Sequence, residues 1–288
     1  MLRGTADHVA ECPDLGPDCA GPVPPAPFYH HVTLFTTDIG LDGSYGLSSW
    51  LAAELHLGVR LVDTTPTYTE LDGTPKSVPH DPHHHDETLF GPTDPWFLLR
   101  FGARAGKLVT AARIGGSLPI GRTEPNPYVL GAEGKWHEHI QFGTGTFEPI
   151  VGLGLSYDTG PVRLDLSGMA FFSLYENGKG YRGPSRGFAT VRAAVPLRGA
   201  TIRPYVEALL RHESEEYWDG LPGLEGTNVK TELILGGGLA WTFADPWFAD
   251  LGVQVRVASF TDAPVFSYPG ILSFGLGTRF DLATIGAH

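Results

Sequence analysis

Three groups of side chains in this sequence have the types and spacing that chemistry requires. The first is histidine-rich: His80-Asp81-Pro82-His83-His84-His85-Asp86-Glu87 fills one polar segment and His137-Glu138-His139 another. Imidazole and carboxylate together suit zinc, copper or nickel, and in an extended segment His137 and His139 share a face. His83, His84, His85, His137 and His139 are therefore the candidate ligands of a divalent metal held by outer loops. The plainer alternative is a solvated polar loop, because adjacent histidines bind weakly unless distant ones join them. The second group is His212-Glu213-Ser214. Residues two apart on a strand share a face, so an imidazole base could stand beside a serine nucleophile. No third residue that would orient the imidazole is evident, and the alternative is an interfacial histidine beside a loop serine.

The third group is the largest. Arg60, Arg100, Arg104, Arg113, Arg163, Asp165, Arg192, Arg203, Glu207, Arg211, Glu232 and Arg256 each alternate with apolar neighbours, as do Glu54, Lys230, Asp250 and Arg279. Along Val162–Leu174, one face carries Leu164, Leu166, Ala170 and Phe172 while the other carries Arg163, Asp165, Ser167 and Ser173. Segments 51–61, 201–213 and 247–260 repeat the pattern. Period-two alternation is the mark of strands. Strands of about 10–14 residues, with charge in mid-strand and not only at the ends, fit a bilayer crossing with an apolar outer belt and a wet lumen. In this set bases outnumber acids. A basic constriction would favour anions or carboxylates; a ladder of salt bridges filling a closed barrel is the equal alternative.

Connections alternate in length. Short ones lie near 47–50, 105–107, 158–161, 198–201 and 244–247, and long ones at 64–95, 121–146, 175–185, 214–228 and 261–270. This is the layout of a transmembrane, antiparallel, up-and-down β-barrel with tight periplasmic turns and long outer loops. The expected fold is all-β, with strands near 28–36, 40–48, 50–63, 95–105, 108–119, 146–158, 161–174, 185–198, 201–213, 228–243, 247–260 and 270–281. That makes roughly twelve, with a break at Asp38–Gly40 giving the even number that bacterial barrels have. Residues 1–27 are expected to be a flexible Pro/Gly-rich head, 28–282 the barrel and 283–288 a tail. Trp50, Trp96, Tyr157, Tyr175, Trp241, Trp247 and Phe280 fall near strand ends, where aromatic girdles sit.

Composition narrows the functions. The 38 glycines and 24 prolines argue for turns and against long helices. A net charge of −12 speaks against nucleic acid. No apolar run is long enough for a transmembrane helix. The first residues lack an apolar signal core, and the expectation is a processed or truncated start. Cys12 and Cys19 have six residues between them, so they form either a small disulfide loop or two free thiols. Gly236-Gly237-Gly238 has no Lys-Ser/Thr after it and is no phosphate loop.

Pro22–Asp158 resembles a family of outer-membrane transporters, the "MetA-pathway of phenol degradation" group. The matching pieces are the Pro-rich head, Tyr45-Gly46-Leu47-Ser48, Gly115–Gly121 and Gln141–Pro149 leading into Val151–Tyr157. The resemblance implies a barrel that transports small, hydrophobic compounds, and it transfers no catalytic residue. Outer-membrane barrels commonly end on an aromatic, whereas here Asp281–His288 follow Phe280. His212 and Ser214 resemble the pair of outer-membrane phospholipase A and the lipid A deacylases, but Glu215 and Glu216 stand where an Asn usually follows. The expectation is a monomeric barrel of the bacterial outer membrane, in contact with the lipid bilayer. It would be a passive channel for a small solute, hydrophobic or anionic, with no enzyme activity, no nucleic-acid partner and no cofactor beyond a divalent metal in the loops. The alternatives are a loop-binding barrel and a lipid-cleaving hydrolase.

Overall fold

Alternating side chains make long strands here because each strand has one face for lipid and one for the interior. A computed structural model describes residues 1–10, 26–78, 86–197, 201–223, 229–244, 246–261 and 266–279. In chain order the first elements are β1 (Leu2–Ala10), β2 (Phe28–Gly46), β3 (Leu51–Thr69), β4 (Pro75–Lys76), β5 (Glu87–Pro92), β6 (Trp96–Ala105) and β7 (Leu108–Ser117). Helix α1 (Pro127–Ala132) precedes β8 (Glu148–Asp158), β9 (Arg163–Phe171), β10 (Tyr181–Arg182), β11 (Arg186–Ala194) and β12 (Ile202–Glu213). Then come β13 (Tyr217–Trp218), β14 (Leu221–Pro222), β15 (Lys230–Ala244), β16 (Trp247–Ser259), β17 (Phe266–Ser267) and β18 (Ile271–Thr278).

All main pairings are antiparallel between sequence neighbours, and β1 returns to both β2 and β18, making a closed twelve-stranded barrel. The outward faces are apolar and bare: Leu153 is 70% and Phe274 73% exposed, against 0% for Ile150 and 8% for Glu207 on inward faces. Surfaces of that kind are stable only against lipid. Among the described residues no helix is long and apolar enough to cross a membrane.

The strand tally differs from the sequence expectation in two places. Segments 28–36 and 40–48 are one strand, because Asp38, Ile39 and Gly40 pair without interruption with Arg60, Val59 and Gly58. Residues 2–10, expected in the head, form β1 and pair with Phe28–Thr36. β1 meets β18 only at Leu2 and Ile271, so the ring closes through its long-loop half. Toward the short turns, 37–46 and 272–278 have no strand on that side among the described residues.

At the short-turn end, Gly106 and Gly160 take positive φ (60° and 99°), which lets tight connections reverse the chain. At the other end the connection 118–147 departs from a polar outer loop and folds into the barrel. Its Ile140 and Phe142 pack on the inward Leu34, Val62 and Leu89. Asn126 caps α1 through Tyr128 N and Val129 N, and its Nδ2 donates to Asp219 Oδ2 at 2.7 Å. Strands β10, β13 and β14 form a small separate sheet with Tyr181 against Trp218.

Candidate functional site

Inward faces of neighbouring strands bring charges into register, and the lumen is built from that register. Arg60 on β3 lies opposite Asp38 on β2 and donates to it at 2.6 Å. Glu54 accepts from Arg113 Nε at 2.9 Å and forms an ion pair with Arg100 at the same distance. Arg163 reaches Asp165 at 3.0 Å, Arg192 reaches Glu207 at 2.7 Å, and Arg256 reaches Glu232 at 2.9 Å. Glu213 holds Arg211 at 2.9 Å and Lys230 at 3.9 Å. Arg186 is bound at 2.5 Å to Glu148, whose side chain is fully buried. Rings and hydroxyls extend the ladder: Tyr205 donates to Asp250 at 3.0 Å and Tyr268 to Glu232 at 3.0 Å, while His56 stacks on Trp96 and bonds Asp42 at 2.8 Å.

The arginines and acids expected in the lumen all lie on inward faces by strand register. Arg104, Arg203 and Arg279 differ from the others in having no carboxylate partner among the described residues. Sequence reading left out Asp38, Asp42, Glu148, Arg186 and Asp94. Asp38 and Asp42 were hidden by the false strand break. Glu148 and Arg186 sit at strand starts, where alternation has too few neighbours to read. With these added, most of the expected basic excess is compensated by paired acids.

Asp94 organises the inward loop. It lies in the three-residue break between β5 and β6 and accepts from Gly121 N (2.7 Å), Thr144 N (2.6 Å) and Thr144 Oγ1 (3.1 Å). Gly121 and Gly143 pass so closely that a Cβ on either would come within 2.7 Å of the other's Cα. Here glycine is required by close approach. Asn177 Nδ2 donates to Thr144 O at 2.9 Å, tying the neighbouring connection to the same point. Under this plug lies a cavity of about 480 Å³, bounded by Asp38 and Arg60 on one wall and Arg186 and Glu213 on the opposite one. Nearer the short turns lie cavities of about 450 and 360 Å³, which share Arg163, Asp165 and Arg192 as lining.

Set beside known proteins, the chain has no match among family models or curated sequences. Among solved structures it is similar to an outer membrane channel from Pseudomonas putida F1, at 10% identity and a TM-score of 0.56, over 96% of this chain and 92% of that one. The fold is that of an outer membrane β-barrel. A looser likeness, with a TM-score of 0.35 and 10% identity over 95% and 96% of the two chains, is to the OmpF complex with daunomycin from Salmonella typhi, and it carries no argument.

The other candidate groups are placed as follows among the described residues. His212 Nδ1 meets Thr231 Oγ1 at 2.9 Å on the lipid-facing side. Ser214 Oγ instead accepts from Ser185 N at 2.9 Å and donates to Glu215 O. The base–nucleophile pair expected from spacing is therefore split, because the strand ends at Glu213 and the serine turns into the loop. His137 and His139 are close, with rings 5.2 Å apart, but His137 is buried with Nδ1 on Lys135 O and His139 stands edge-on to Tyr128. No group of three or more His, Cys, Asp or Glu among the described residues is arranged to hold a metal. His83, His84 and His85, like Cys12 and Cys19, lie outside the described residues.

In the plug, Glu138 has its carboxyl pushed up to about 9. Burial is the main cause, followed by a hydrogen bond to Glu87 and the charges of Glu87 and Glu124, with Arg122 opposing. A neutral Glu138 lets the plug lie against the acid of β5.

Proposed function

We propose that this chain is a passive channel of the bacterial outer membrane for small solutes, monomeric in the bilayer. The observation that carries the reading is the series of charged and polar side chains on the inward faces, running from the plug to the short turns inside an apolar outer wall and interrupted by the buried Leu98, Ile150 and Ile234. Transport along such a path needs no covalent catalysis. Paired charges give a water-filled lumen fixed dipoles at little net charge, which suits uncharged or weakly charged solutes. The likeness to an outer membrane channel supports the fold this reading requires. The resemblance of Pro22–Asp158 to transporters of the phenol-degradation group favours small organic solutes as cargo.

The plug formed by 118–147 limits solute size. Swelling of liposomes carrying the refolded protein tests the reading. A pentose should enter measurably faster than a trisaccharide, and excision of 124–140 should narrow that difference. Equal swelling to protein-free liposomes, with insertion verified, would contradict a channel.

A further inference from the structure

We infer that the short-turn end of the lumen holds a binding site for small carboxylates, built on Arg203 and Arg279 and walled by Phe248. The inference rests on the channel reading above and assigns a ligand class to one end of that path.

The contrast with most of the lumen's arginines carries it: of the three without an acid partner among the described residues, Arg104 lines a different cavity, and Arg203 and Arg279 share one. Arg60, Arg100, Arg113, Arg163, Arg186, Arg192, Arg211 and Arg256 each have an acid partner within 3.0 Å. Arg203 and Arg279 line one cavity of about 360 Å³ and have none among the described residues. The Nε of Arg203 is also buried without a hydrogen-bond partner. Arg100, Arg186 and Arg211 also leave an Nε without a hydrogen bond, but each lies within 2.9 Å of a carboxylate that balances its charge.

The acids nearest this cavity are already engaged. Asp165 takes Arg163 and the hydroxyl of Ser156. Glu207 takes Arg192 and Gln254. Asp250 accepts from Tyr205. Two guanidinium groups thus face the cavity against one acid without a cation partner, because Asp250 keeps its charge when it accepts from a neutral phenol, and a planar guanidinium matches a carboxylate with two parallel N–H donors. The surroundings are aromatic: Arg279 lies over the Phe248 ring at 5.3 Å, and Arg192 over Tyr205 at 4.1 Å. A ring carried by the ligand would find apolar faces there, while its carboxylate met the guanidinium groups. A cavity of this size accepts a one-ring acid.

The test uses the full chain, folded in detergent and in planar bilayers, with benzoate as the probe and benzyl alcohol as its neutral counterpart. Calorimetric titration should give saturable benzoate binding and none for benzyl alcohol. The double change Arg203→Gln with Arg279→Gln should weaken it at least five-fold, and Arg203→Lys with Arg279→Lys should restore part of it. Arg60→Gln, at mid-lumen, should leave it unchanged. Heat-modifiable gel migration verifies folding of each variant. In bilayers, benzoate should reduce current more when added at the short-turn side. Absent binding, or binding untouched by the Gln pair, would overturn the site, as would full competition by chloride at equal ionic strength, which would mark a general anion site. Binding without any conductance would leave the site standing and remove the channel reading; conductance without binding would do the reverse.

Discussion

The two halves of the lumen are built on opposite principles. In the long-loop half the interior is filled by the chain itself: Phe142 and Ile140 sit on Val62, Leu89 and Leu34, and Asp94 clamps Gly121 and Thr144. In the short-turn half the walls face each other across cavities, and charged side chains are paired along the wall rather than across it. One half is filled by an apolar, hydrogen-bonded plug, and the other is lined by a fixed ladder of ion pairs. On the proposed channel reading, the first would limit passage and the second would set the electrostatic environment. Size limit and charge preference should therefore be separable by mutation.

The largest effect expected is from excising 124–140, which should raise single-channel conductance several-fold while leaving charge selectivity nearly unchanged. A parallel change in selectivity would show that the halves are not separate. Next is Asp94→Ala. Hydrogen bonds to a charged acceptor contribute about 1.5–3 kcal/mol each, so losing the three bonds of this clamp should weaken plug docking by about 4.5 kcal/mol or more. Hydrogen exchange at Gly121 and Thr144 should accelerate, with long-lived open events in the current trace.

A smaller effect should follow pH. The Glu138 carboxyl is raised from 4.5 to about 9 in the docked plug. The docked state therefore binds an extra proton between those values. Docking should be strongest below the lower value, weaken as pH rises through the window, and reach its weakest above about 9. Conductance should rise from pH 5 to pH 9, and Glu138→Gln should flatten the profile. The smallest effect is expected in the ladder: Glu54→Gln leaves Arg100 and Arg113 without their shared acid, which should shift reversal potential toward anions while conductance changes by less than about two-fold.

The two halves were also unequally legible. The inward charges could be read in advance because alternation marks one face: Arg163 and Asp165 alternate with Val162, Leu164 and Leu166. Whether they made a basic constriction or a ladder of ion pairs could not be read, since that depends on which acids of neighbouring strands meet them. β1 was not legible, since Leu2–Ala10 alternates Arg3, Thr5 and Asp7 with small residues and shows little hydrophobic contrast. The plug was invisible for a different reason. Nothing local distinguishes a connection that folds inward from one that projects outward; the choice is made by long-range contacts such as Asp94 with Thr144, fifty residues apart. The glycine-rich pieces Gly115–Gly121 and Gln141–Pro149, read as family motifs, were its trace, because Gly121 and Gly143 are fixed by their mutual approach. His212 and Ser214 failed as a pair since spacing assigns a shared face only while the strand continues.

The most direct test is single-channel recording of the refolded chain beside the variant lacking 124–140. Small discrete steps for the full chain, and steps several-fold larger with the same reversal potential for the variant, are the predicted result. Silence from both, with each shown to be folded and inserted, would contradict a conducting lumen.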